Sequence, residues 1–243
     1  MSEGRFRDLA LDEDFHVHST FSDGESTLTE NVRVARERAL RTLCLVDHVR
    51  RDTEWLPQFI AAMAPLRQLP GLQVLAGVEA KILDISGRLD LPPGLDGIDL
   101  VLIADHQFPG DGGPVHPVRA RAAIGSGQLT AAEAIEGLCE ATANALDATD
   151  RRCVLAHLFS VLPKMGLDED MVPEPLLAEL ARRVALAGAM VEINEKWACP
   201  SPRSVAAMAR AGVTVVAGSD SHHSRDIGVY RSVRLTAGAG ARA

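Results

Sequence analysis

Residues 28–48 read LTENVRVARERALRTLCLVDH. Positions 28–39 carry apolar residues at helical spacing, with Thr27 or Thr29 available to cap the start. A short apolar run, 41–46, follows at once and ends on Asp47 and His48. Further runs at 72–76, 100–104, 153–156, 190–193 and 213–217 read as buried strands, and most of them also end on a carboxylate or imidazole. Helical periodicity fills much of the space between them, at 54–69, 131–145 with Thr130 as cap, 174–187 and 202–211. Strands alternating with helices over a chain of 243 residues predict a parallel sheet covered by helices, and favour a closed or nearly closed β/α barrel over an open doubly wound sheet.

The composition sets the same scale. With 47% hydrophobic and 24% charged residues, the chain can bury the core of one large domain spanning 1–243, with its ordered part at about 12–236. Residues 84–96 and the Gly/Pro-rich 108–127 read as loops, the second placed as a lid after His106, while 237–243 reads as a flexible tail. The formal net charge of -8 argues against a long nucleic-acid partner, because that binding rests on neutralising phosphates. No apolar run is long enough for a membrane span or signal peptide, so a cytoplasmic protein is expected. Cys44, Cys139, Cys153 and Cys199 form no CxxC pair and read as buried reduced thiols. Nothing here bears on oligomeric state.

The strand ends carry the chemistry. His16 and His18 follow the first strand, two residues apart and so on one side of an extended segment. Asp47 and His48, Glu79, Asp105 and His106, His157, Glu192 and Asn194, and Asp220 and His222 close later strands. In a parallel barrel these ends share one rim, so residues far apart in sequence converge. An HxH pair or a strand-end Asp alone arises readily on surfaces or as a helix cap, but six of the eight histidines at strand ends is a pattern that scattered surface residues do not produce. His116, inside the expected lid, reads as a surface residue, and His223 as a neighbour of a ligand. Imidazole and carboxylate together bind zinc, manganese and iron, and this many ligands imply more than one ion.

Taken in order, DFHVHSTFSDG at 14–24, LVDH at 45–48, GVE at 77–79, His106, AHL at 156–158, EIN at 192–194 and GSDSH at 218–222 resemble the polymerase and histidinol phosphatase (PHP) domain family, from position 14 to about 228. The resemblance implies a distorted TIM-like barrel of seven β/α units with two or three divalent ions at the strand C-termini. It implies one ion held by His16, His18, Glu79 and Asp220, a second shared through Glu79 with His106 and His157, and a third among Asp23, His48 and His222. Asp23 stands where some members have histidine, which softens that position toward manganese or iron. The implied activity is hydrolysis of a small phosphomonoester, histidinol phosphate being the best-known case, by hydroxide made available at the metals. A phosphodiesterase or exonuclease acting on nucleotides is the competing enzyme, and a metal-binding scaffold without turnover the competing non-enzyme. Among basic residues, Arg225 is the leading phosphate clamp, followed by Lys164, Lys196, Arg119 and Arg121. Asp47 and Asp105 would orient neighbouring ligands, with Asp105 alternatively protonating the leaving group.

Overall fold

A computed structural model describes residues 9–240. Seven strands form one all-parallel sheet: β1 (Glu13–Val17), β2 (Thr42–His48), β3 (Gln73–Lys81), β4 (Leu100–Ala104), then, after a short hairpin of β5 (Phe108–Gly110) and β6 (Gly113–Val115), β7 (Arg152–Ala156), β8 (Met190–Asn194) and β9 (Thr214–Gly218). The order in the sheet is β1-β2-β3-β4-β7-β8-β9, each strand beside its neighbour in sequence once the hairpin is set aside. The sheet curls until β9 meets β1 through a bridge between Val17 and Ser221 and a 2.8 Å bond from the His18 N–H to the Ser221 carbonyl. The result is a nearly closed barrel. Buried Asp14 reinforces this seam, accepting from the backbone N–H groups of Ser219 at 2.9 Å and Gly228 at 2.8 Å.

Eight α-helices are described: α1 (Leu28–Glu37), α2 (Leu56–Leu66), α3 (Pro117–Gly125), α4 (Ala131–Ala145), α5 (Val161–Met165), α6 (Glu174–Leu186), α7 (Pro202–Arg210) and α8 (Ser232–Gly240). Capping boxes start α1, with Thr27 and Glu30, and α4, with Thr130 and Glu133. None is long and apolar enough to cross a membrane.

Each buried strand presents apolar residues alternately to two cores. Leu43 and Leu45 of β2, Val74 and Val78 of β3, and Val101 and Ile103 of β4 pack outward under the helices. Cys44, Val46, Leu100, Leu102, Val154 and Met190 fill the barrel interior with Phe15. Strand β1 breaks register between Asp14 and Val17. This irregularity lets Phe15 plug the barrel while His16 also turns to the rim, which a strictly alternating strand could not do.

Two expectations require correction. The stretch 108–127 is not a structureless lid: it folds as the hairpin β5–β6 and helix α3, whose N-terminus is capped by His116 accepting from the Val118 N–H. Residues 237–240 of the expected tail belong to α8, which runs to Gly240 and packs its fully buried Val233 against Ile193, Val205 and Tyr230. Residues 241–243 of that tail lie outside the described residues. Loop 84–96 is irregular as read, apart from a bridge between Ile82 and Leu89.

Candidate metal centre

The centre grows from one carboxylate. Glu79 lies near the end of β3, on the barrel's inner face, and is 1% exposed. Burying a lone carboxylate is costly, and here the compensation comes from imidazoles. Oε1 lies 3.0 Å from His106 Nε2 and 2.9 Å from His157 Nε2. Oε2 lies 2.9 Å from His48 Nδ1, 3.4 Å from His16 Nε2 and 3.5 Å from His18 Nε2. Despite burial, those rings hold Glu79 well below the usual carboxylate range, the His106 and His16 charges being the largest opposing influences.

Around this hub the other proposed ligands assemble. His18 Nε2 is 3.0 Å from His16 Nε2 and 3.6 Å from Asp220 Oδ1. On the outer side Asp23 approaches His48 Nε2 and His222 Nε2, both at 3.4 Å, and His18 Nδ1 at 3.8 Å. The structure thus brings all nine expected ligands together. Three sets could each surround an ion: His16, His18 and Asp220; His48, Glu79 and His106; and His18, Asp23, His48 and His222. His48 therefore faces both Glu79 and Asp23, rather than the outer group alone.

Whether this donor set fits metals can be tested on the atoms themselves. His18 Nδ1 and Glu79 Oε2 are buried without a hydrogen-bond partner among the described residues. Buried polar atoms are almost always satisfied, so two orphans within one cluster, Glu79 Oε2 on the side of His16 and His18 Nε2 and His18 Nδ1 on the side of Asp23, mark donor atoms suited to cations. His16 and His18 lie 3.0 Å apart nitrogen to nitrogen, a separation suited to two donors converging on one ion. Burial would lower the His16 and His157 pKa values. Instead Glu192, Glu79 and Asp220 raise His16 well above normal, and Asp105 with Glu79 takes His157 up to about 10. Burial carries His18 the other way, down to about 4.

A surrounding layer of residues aims these ligands. Asp105 accepts from Ser160 Oγ at 2.7 Å and the Val161 N–H at 3.3 Å, and lies 3.3 Å from His157 Nδ1. Asp47 accepts from the N–H and hydroxyl of both Ser19 and Ser22, pinning the loop that carries Asp23. Both expected catalytic carboxylates thus touch ligand-bearing structure rather than the open site. Two of the candidate ligands sit in left-handed backbone, His157 at φ 33° and Asp220 at φ 53°, a strained geometry that persists where surroundings over-determine it.

Sequence reasoning places Glu192 and Asn194 at a strand end without giving them a role. In the structure Glu192 lies 3.0 Å from His16 Nδ1 and accepts from the His157 N–H at 2.8 Å. Asn194 donates toward Glu192 and Asp220 and accepts from the Trp197 N–H. Trp197 has no sequence expectation either, because an isolated Trp in a loop carries no positional signal. Its indole N–H donates to Asp220 Oδ2 at 3.0 Å, and Lys164 Nζ sits 3.8 Å above its ring.

Of the basic candidates, Lys196 reaches the centre, 3.2 Å from both Asp220 Oδ1 and His222 Nδ1. Arg225 does not: its side chain is 73% exposed beside Asp226, in the short 3-10 turn Ser224–Asp226, and lines none of the three cavities at the cluster. Arg121 packs by Gly166 of the α5 end. His223 caps that 3-10 turn through Arg225 and is not drawn into the cluster.

The PHP domain family matches residues 14–196. A probable phosphatase of Thermoanaerobacter sp. (strain X514) is 37% identical over 99 residues, 39% of this chain and 40% of that one. One of Vibrio parahaemolyticus is 31% identical over 134 residues, 49% and 50% of the two chains. The chain therefore spans about half or less of the curated relatives it matches. Its fold resembles that of the Lactococcus lactis histidinol phosphate phosphatase solved with zinc, L-histidinol and phosphate, with a TM-score of 0.64 at 19% identity over 93% of this chain and 90% of that one.

Proposed function

This chain belongs to the PHP domain family, and from that premise we propose that it is a metal-dependent hydrolase of a small phosphomonoester, using two or three divalent ions drawn from zinc, manganese and iron. The observation that carries the proposal is Glu79: a buried carboxylate ringed by five imidazoles, with Oε2 left without a hydrogen bond among the described residues. Bound there, divalent ions would supply Lewis-acid stabilisation of phosphate charge and lower the pKa of water toward neutrality.

The chain's own residues do the rest. Glu79 would join two of the ion positions, with His16, His18 and Asp220 on one side and His106 and His157 on the other. His48, Asp23 and His222 would hold the outermost ion. Lys196, beside Asp220, is placed to neutralise a phosphate oxygen, and Glu192 and Asp105 keep His16 and His157 aimed. The cavity opening from the cluster, about 570 Å³, suits a small molecule. The relatives named probable phosphatases and the fold of a histidinol phosphate phosphatase support the same reading, with histidinol phosphate itself one candidate substrate. Four buried free cysteines accord with a cytoplasmic setting.

Elemental analysis of the purified protein, with hydrolysis of a phosphomonoester panel and a dinucleotide, tests the proposal. Wild type should contain two or three ions per chain and cleave monoesters, while His16→Ala and Asp220→Ala should lose metal and at least about a hundredfold in rate. Turnover of the dinucleotide alone would replace the monoesterase reading with a diesterase. Unchanged metal content and rate in both variants would sink the metal assignment itself.

A further inference from the structure

Two cavities meet beside the cluster. The first, about 570 Å³, is lined by the ligands Asp23, His48, Glu79 and His106 together with Arg50, Thr53 and Lys81. The second, about 510 Å³, shares Arg50, Lys81 and His106 with the first, and adds Lys164 and His116. Its lining contains no carboxylate among the described residues. In a chain of formal net charge -8, a recess walled by one Arg and two Lys with no carboxylate in its lining is a local reversal of sign.

The cations are delivered by the fold. Arg50 stands two residues beyond His48, Lys81 two beyond Glu79, His106 just past β4, and Lys164 on α5 past His157, so four adjacent strand ends that supply candidate ligands also supply this wall. Arg50 and Lys164 make no ion pair among the described residues, and Lys164 instead rests on the Trp197 ring. Lys81 is tethered by Asp90 at 3.4 Å, which fixes its ammonium rather than removing its attraction for a more highly charged group.

We infer that the second cavity is a specificity subsite for a second anionic group, a phosphate or carboxylate at the far end of the same substrate. The inference rests on the phosphoesterase reading and narrows it. A phosphomonoester whose other end is anionic has charge to meet at both places, whereas one ending in an ammonium, as an amino-alcohol phosphate does, would set like charges against Arg50, Lys81 and Lys164.

The test compares propyl phosphate with three analogues of the same length: 1,3-propanediol bisphosphate, 3-phosphonooxypropanoate and 3-aminopropyl phosphate. Calorimetric binding to the metal-loaded protein and kcat/KM are both measured. At least one doubly anionic analogue should bind about tenfold or more tightly than propyl phosphate, mainly through KM, and the ammonium analogue should be weakest. The stronger of the two anionic analogues names the group. Arg50→Gln and Lys81→Gln should bring the ratio of anionic to neutral affinity toward one. Equal binding of all four compounds, or an anionic preference untouched by both substitutions, overturns the subsite even if every compound is hydrolysed. If binding shows the preference but nothing is hydrolysed, the subsite stands and the phosphoesterase assignment falls.

Discussion

At the scale of single residues, protonation and metal binding compete for the same nitrogens. His157 sits at about 10, against 6.5 for free imidazole, because Asp105 and Glu79 outweigh the effect of burial, and His16 is raised as well. A raised imidazole pKa stabilises the fold fully below 6.5 and loses that contribution as pH climbs toward 10. Metal must displace those protons, so its affinity rises over the same window. Melting temperature should therefore fall from pH 6.5 to 10 in stripped protein, while the increment on adding metal grows; a metal increment that shrinks with pH would contradict the assignment of His16 and His157 as ligands. Trp197 gives a second test, since its indole N–H aims Asp220. Trp197→Phe keeps the ring and removes the donor, and should weaken metal retention about tenfold in chelator competition. Retention equal to wild type would make Trp197 only a wall. The clustering of the candidate ligands was legible because strand ends put them in a sequence pattern, whereas the placing of Trp197, Arg50 and Lys81 was not, since it depends on neighbours that no spacing reveals.

At the scale of elements, β8 and β9 meet through a close fit that the motif alone hides. A Cβ on Gly218 would lie 1.7 Å from Glu192 Oε1, so the glycine is the space in which Glu192 reaches His16. Gly218→Ala should expel that carboxylate, cost about 2 kcal/mol or more, and lower occupancy of the ion proposed at His16, measured by denaturant unfolding and elemental content. Full metal retention with unchanged stability would show that Glu192 is not required in its observed place. Elements with strong end signals were readable: Thr27 and Thr130 each cap a helix with a glutamate three residues on. Helix α3 escaped because its cap is His116, outside the usual capping residues, and it lies between two Gly-rich stretches. Helix α8 escaped because Gly and Ala give it little amphipathic signal, and its stability comes from Val233 packing against a core assembled from β8 and α7.

At the scale of the whole molecule, the alternation of strands and helices foretold a barrel, but where the barrel closes is decided by contacts across nearly the full chain length. Strands β2 and β3 pair along seven residues, while β1 is joined to the β9 side by one bridge, from its last residue Val17 to Ser221 just past β9. Asp14 compensates with its two backbone acceptances across the seam, although burial pushes its carboxyl up to about 6. The proposed ions lie over this same seam, with His16 and His18 extending from β1 and Asp220 and His222 following β9. An ion held by ligands from both sides cross-links the first and last strands, and its binding free energy becomes resistance to local opening there. Chelation should therefore raise amide exchange in β1 and β9 well before β2 or β3, where ladder pairing is continuous. Hydrogen exchange with and without chelator measures this directly. Uniform loss of protection over all seven strands would mean that the metals stabilise the barrel as one unit, and protection unchanged at the seam would mean that closure owes nothing to them.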